Sequence, residues 1–170
     1  LSYNMVIGTS LDRELYLAMQ VLEYVLMSSP GAILKKALIE SGIGKDVFGE
    51  FDNGILQPYM SIIVKNSEAD QKETFVKLIR DTLSSLIANG LNKDSLRAAI
   101  NYYEFRYREG DFGRFPAGLM YGLQMMDSWL YDENKPFVHL DAIATYNFLK
   151  EQMGTRYFEN LIQTYVLDNT

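Results

Sequence analysis

Apolar positions at Leu15, Ala18, Met19, Leu22, Val25 and Leu26 follow the i, i+3, i+4, i+7 spacing of one helix face. Asp12 and Glu14 fall in the first turn, where the helix dipole favours negative charge. The preceding segment LSYNMVIGTS is rich in β-formers and meets Gly8-Thr9-Ser10, which predicts a strand ending at a turn that caps this helix. Ser28-Ser29-Pro30-Gly31 stops it. A short helix is expected over about 32–40, with Gly42 and Gly44 at its exit.

Between 45 and 65 the period changes from helix to strand. Val47 to Phe51 and Ile55 to Lys65 flank Asp52-Asn53-Gly54, and Asn-Gly tolerates the positive φ angles of a tight type I′ hairpin. Pro58 cannot donate to a ladder, so an edge-facing position or a bulge is expected there. From Asn66 onward the pattern is helical. Ser67-x-x-Asp70 resembles an N-terminal cap, and Phe75, Ile79, Leu83 and Leu86 make an apolar stripe that Asn89-Gly90 ends. Asn92 can cap the next helix, which carries Leu96, Ile100, Tyr103 and Tyr107 on one face and breaks over 110–116. Further helices are expected at roughly 117–131, 138–152 and 155–167. Strand, helices, hairpin and then many helices, without alternation or repeat, predict an α+β fold. The expected form is two-layer: a small antiparallel or mixed sheet covered by helices, with a helix-rich C-terminal half.

With 48% hydrophobic and 22% charged residues, 170 residues can bury a substantial core, so residues 1–170 read as a single domain. No apolar run approaches the roughly 18 residues of a membrane span, and no basic and apolar leader opens the chain. A soluble chain is expected, with no membrane partner. Leu1 opens in mid-strand pattern, as a piece of something longer would. The net charge of −6 is spread over both halves, so a nucleic-acid partner is not expected. The chain contains no cysteine, which removes disulfides and thiolate ligands.

One histidine, His139, leaves a metal centre or a Ser-His apparatus without its parts. A zinc-binding helix would need a second histidine four residues away and a nearby glutamate, so His139 reads as a structural or surface residue. Asp111-Phe112-Gly113 spells the kinase metal-binding triplet, but no Gly-rich loop, strand lysine or His-Arg-Asp loop accompanies it. In Gly42-Ile43-Gly44-Lys45-Asp46, Asp46 replaces the Ser or Thr of a phosphate loop and would repel phosphate. The remaining cluster is Glu104, Arg106, Arg108, Glu109 and Asp111. Glu104 to Arg108 is an i, i+4 pair, and Arg106 to Glu109 and Arg108 to Asp111 are i, i+3 pairs, which fit a solvated helix face. The functional alternative has Arg106 and Arg108 projecting into a groove and binding a peptide carboxylate or carbonyls as planar donor forks.

Three long segments carry a resemblance: SYNMVIGTSLDRELYLAMQVLEYVL, GIGKDVFGEFDNGILQPYMSIIVKN and EFRYREGDFGRFPAGLMYGLQMMDSWLYD. Together they resemble the second, non-catalytic domain of presequence proteases, within the pitrilysin and insulysin family of zinc metallopeptidases. In that family a domain with an inverted His-x-x-Glu-His zinc motif is followed by a related domain without it, and this chain is similar to the second kind. The resemblance implies no catalytic or metal-binding residue here and no cofactor in this piece, with zinc held elsewhere in the parent enzyme. It implies packing on the catalytic domain of the same polypeptide, helping to wall a chamber for unfolded peptides. It also implies a cytoplasmic location in a bacterium, or an organelle matrix in a eukaryote. Two other readings stand beside it: a free-standing inactive scaffold or peptide-binding subunit, and a zinc-free hydrolase using Glu109 and Asp111.

Overall fold

The computed structural model describes residues 1–110 and 112–169. Three antiparallel strands, β1 (Ser2–Val6), β2 (Asp46–Asp52) and β3 (Tyr59–Lys65), lie in the order β1-β3-β2. The register pairs Met5 with Met60 and Val47 with Val64. Period two then sorts the side chains. Met5, Met60, Ile62, Val64 and Val47 are buried on one face, while Asn4 on the other accepts a hydrogen bond from Ser61 Oγ at 2.8 Å. The first segment and the hairpin therefore share one sheet, as the pattern predicts.

The tight turn does not form. Residues 53–58 connect β2 to β3, Gly54 does not adopt positive φ, and its N–H donates to Asp52 Oδ1 at 3.2 Å. The reason is tertiary: Ile7 N donates to Pro58 O at 2.7 Å and Ser10 N to Leu56 O at 2.9 Å, so the connection spends its carbonyls on the 7–10 segment. Pro58 precedes β3 rather than interrupting it.

The helices are α1 (Arg13–Glu23), α2 (Ile33–Glu40), α3 (Lys72–Asn89), α4 (Lys93–Glu109), α5 (Ala117–Trp129), α6 (Ile143–Gln152) and α7 (Tyr157–Ile162). Helices α1 and α7 each continue into one π-helical turn, Tyr24–Ser28 and Gln163–Leu167. The α1 cap is Asp12, whose carboxylate accepts from Leu15 N at 3.0 Å, instead of the Thr9-Ser10 turn. Asn92 caps α4 as expected, accepting from Asp94 N and Ser95 N, both at 2.9 Å. Ser67 caps nothing; its hydroxyl reaches Glu68 O, and a 3-10 turn at Ala69–Gln71 leads into α3. Gly42, Gly90 and Gly110 close α2, α3 and α4 with positive φ. The sixth helix starts at Ile143 because residues 138–142 are drawn out to bond α1 and α4.

The core is one cluster. Phe75, Ile79 and Leu83 are fully buried along α3, each contributing about 1.5–3 kcal/mol relative to exposure. Helix α1 exceeds the single stripe its spacing suggests. Residues 15–19 and 21–23 are all buried, and α1 touches β2 as well as α4, α6 and α7. Tyr16, Leu17 and Val21 fill the positions between the stripe, so apolar character runs round the helix. The stretch Arg13–Glu40 is in fact long and apolar enough by composition to cross a membrane, contrary to the sequence expectation. Most of its apolar window is buried within the protein, and Ser29 breaks the stretch with extended backbone, so it is a core element here.

Candidate functional site

Helices α1, α4, α5 and α6 and the 137–142 loop line an open pocket of about 220 Å³. The loop is fixed from two sides. Tyr107 Oη on α4 donates to Leu140 O at 2.6 Å and accepts from Ala142 N at 3.3 Å. Arg13 Nη1 on α1 donates to Val138 O at 3.2 Å and also to Asp141 O. These bonds hold His139 against Tyr16, with ring centroids 4.2 Å apart and planes tilted by 33°. His139 is 7% exposed. Burial pushes its pKa down to about 4, the Arg13 charge pushes the same way, and the Ser10 backbone opposes them. The imidazole is therefore neutral at pH 7. Neither ring nitrogen makes a hydrogen bond of good geometry, and Ser10 Oγ and Arg13 Nε are likewise buried and unpartnered.

Tyr16 Oη donates to Asp127 Oδ2 at 3.2 Å, joining α1 to α5. Burial raises the Asp127 pKa to about 6; the Tyr16 hydrogen bond opposes this and Asp52 adds to it. The Tyr16 phenol is pushed far above its ordinary value, first by burial and then by Asp127. Burial also raises Tyr103 and Tyr146, so none of these phenols ionises at neutral pH.

The two sequence-predicted arginines are separated. Arg106 lines the pocket, its guanidinium 5.7 Å from the Tyr102 ring centroid and Nη1 donating to Tyr102 Oη at 3.3 Å. Arg108 turns to Glu104, donating from Nε at 2.9 Å and Nη2 at 2.7 Å. Glu104 is 7% exposed and also accepts from Lys150 Nζ on α6. Burial pushes its pKa up, but Lys150 and Arg108 outweigh it, and the net shift is down. The Glu104 to Arg108 pair thus forms, within a network that also ties α4 to α6. Asp111, named in the kinase-like triplet, the Arg108 pair and the paired-carboxylate reading, lies outside the described residues.

Among the described residues, no group of three or more His, Asp or Glu side chains comes together to hold a metal ion. His139 faces an aromatic ring and a guanidinium, and a cation beside it disfavours a second one. The donor set does not fit zinc. The sequence reading missed Tyr16 and Arg13 as neighbours of His139, and Asp127 as the partner of Tyr16, because helical spacing says nothing about a later loop folding back on α1.

The outer side of α5 is a second feature. Ser128 is its one buried residue, while Leu119 is 53%, Leu123 52% and Trp129 46% exposed, flanked by Phe115 and Phe137 at 63% and 62%. So many large apolar side chains along one segment exceed the scatter expected of a lone surface.

The chain spans about a sixth of the length of the curated relatives it matches. It is 47% identical over 169 residues to Protein HypA of Clostridium perfringens, covering 99% of this chain and 17% of that protein. It is 32% identical over 165 residues to Presequence protease 1, chloroplastic/mitochondrial, of Arabidopsis thaliana, covering 94% and 15%. Its fold matches the inactive peptidase domain of a candidate zinc protease from Bordetella parapertussis with a TM-score of 0.68 at 10% identity, over 96% of this chain and 82% of that one. The family profile described as the peptidase M16 inactive domain matches residues 3–103, more than half the chain. With that profile over more than half of its length, the chain belongs to the family of peptidase M16 inactive domains.

Proposed function

We propose that this domain serves a zinc metalloendopeptidase as a non-catalytic part that packs on a catalytic domain of the same polypeptide and helps to wall a chamber for unfolded peptides. The observation that carries the reading is the bare apolar face of α5, with Leu119, Leu123 and Trp129 about half exposed. Burying each of them would contribute roughly 25 cal/mol per Å² of apolar area. The chain's short span of its relatives supports the reading, since those proteins have room for a partner domain. Zinc and the catalytic base belong to that partner in this proposal.

Hydrogen exchange and peptide cleavage test it. In the polypeptide with its flanking sequence, amides of α5 should exchange more slowly than in the 170-residue chain. Leu123→Glu with Trp129→Glu should lower zinc-dependent cleavage of an unstructured peptide while this chain alone keeps its melting temperature. Equal exchange in both settings, with full cleavage by the double variant, sinks the proposal and favours a free-standing peptide-binding subunit.

A further inference from the structure

We propose that Asn53-Gly54 is a site of spontaneous deamidation whose new carboxylate lands beside Asp127. The chain contains two Asn-Gly dipeptides, at 53–54 and 89–90. Glycine carries no side chain to shield its own nitrogen, so an asparagine that precedes it is the most open to attack from the backbone. Sequence alone ranks the two dipeptides equally, and the structure separates them.

Backbone freedom makes the difference. Ring closure brings the glycine nitrogen onto the asparagine side-chain carbonyl, which needs ψ well away from the helical value of about −42°. Asn89 is the last residue of α3, and its Nδ2 donates to Ser85 Oγ at 3.2 Å. Reaction there would unwind the helix end. Residues 53–55 instead lie between β2 and β3, and among the described residues no backbone group bonds to theirs. The chain is anchored on either side of them, at Asp52 opposite Tyr59 and at Leu56 and Pro58. Asn53 can therefore rotate without loss of a backbone hydrogen bond.

A base is already in place. Gly54 N–H donates to Asp52 Oδ1 at 3.2 Å, so the carboxylate that holds this proton can receive it. The Gly54 nitrogen then bonds to Asn53 Cγ, the Cγ–Nδ2 bond breaks, and Nδ2 takes the proton and leaves as ammonia. Gly54 is exposed, and one water opens the resulting succinimide at either carbonyl to give aspartate or isoaspartate. No oxidant or cofactor enters.

The location gives the change a consequence. A Cβ on Gly54 would stand 3.5 Å from Asp127 Oδ1 and 3.9 Å from Asp52 Oδ1. A carboxylate one residue away joins two acids that already feel each other, since Asp52 helps burial to hold Asp127 protonated. At neutral pH the added charge repels ionised Asp127, the acceptor of the Tyr16 tie between α1 and α5.

Ageing of the protein in its flanking sequence at pH 7.5, with isoaspartate read by methyltransferase labelling and peptide mapping, tests the proposal. Isoaspartate should build up at 53 about tenfold faster than at 89, and Gly54→Val and Asp52→Ala should each slow it about tenfold. Gly54 has ordinary φ and room for a side chain, so a slower reaction in Gly54→Val reports the reacting atoms and not a changed fold. Asn53→Asp carries the new charge from the start. It should lower the melting temperature at pH 7.5 and have little effect at pH 4. Should Asp52→Ala fail to fold, the ratio of rates at 53 and 89 on the unaltered protein still decides. No isoaspartate at 53, or equal rates at 53 and 89, overturns the site. A rate untouched by Asp52→Ala overturns the base, and equal thermal offsets at the two pH values overturn the placement of the charge beside Asp127.

Discussion

Tyr16 hydrogen-bonds Asp127 across the gap between α1 and α5, at 3.2 Å from Oη to Oδ2. This bond is a specific polar tie on a helix whose apolar residues mostly face outward. Its strength depends on pH, because Asp127 is half-buried and its pKa is raised to about 6.

A carboxyl whose folded pKa lies above its unfolded value of 3.8 adds stability below that value, and the contribution is lost as pH rises through about 6. Ionised Asp127 is therefore a cost at pH 7.5. Asp127→Asn keeps an acceptor for Tyr16 and removes the charge, so it should raise the melting temperature at pH 7.5 and have little effect at pH 4. Water partly screens this group, which limits the gain to about 1 kcal/mol, or roughly 2–4 °C. A variant with the same offset from the parent at both pH values would show that Asp127 is not the titrating group.

Glu104 has the opposite sign. Its pKa is lowered on balance, so its ion-pair stabilisation is present above the unfolded value of 4.5 and fades as pH falls below it. Glu104→Ala should cost about 1–2 kcal/mol at pH 7 in urea denaturation, because Arg108 and Lys150 both lose their acceptor. Arg108→Ala should cost under about 0.5 kcal/mol, since Arg108 is half exposed and Lys150 still holds the carboxylate. Equal losses for the two variants would contradict this division.

Glycines within and just beyond the same strand should behave differently. Gly49 in β2 faces Met27, and a Cβ there would overlap the Met27 side chain, so Gly49→Ala should destabilise by about 1–3 kcal/mol. Gly54 has ordinary φ, and an added Cβ would meet Asp127 Oδ1 at 3.5 Å and Asp52 Oδ1 at 3.9 Å, both ordinary contacts. Gly54→Val should therefore stay within about 0.5 kcal/mol. Chemical denaturation of both variants checks the contrast, and a large loss at Gly54 would mean that a tight turn forms after all.

Local signals were legible in the sequence where local chemistry decides the structure. The Phe75, Ile79, Leu83 and Leu86 stripe is the buried face of α3, and Asn92 caps α4 because an amide oxygen two and three residues ahead of free N–H groups has little else to do. Legibility failed where distant segments compete for the same groups. Asn53-Gly54 carries the signature of a tight turn, yet hydrogen bonds from Ile7 and Ser10 to Pro58 and Leu56 stretch the connection. The pocket was not legible: Arg106 lines it while Arg108 pairs with Glu104, and the Tyr16–His139 contact joins residues far apart in the chain. The exposure of α5 was indicated only through the resemblance, which implies a partner domain and hence an exposed apolar patch to which the aromatic-rich 101–132 segment contributes. Leu119, Met120, Leu123 and Met126 look like core residues in any pattern, and a sequence does not say which apolar face is left for another surface.

The enclosure of α1 over residues 15–19 and 21–23 has a mechanical consequence. A helix with no solvent side over residues 15–19 cannot roll or slide without opening gaps against β2 and against α4, α6 and α7 together, and close-packed interiors resist such gaps. Load applied at the Tyr16 end should therefore pass through the helix to the sheet as through a strut, so that the domain tilts as one block while α5, outside that enclosure, is the element free to give.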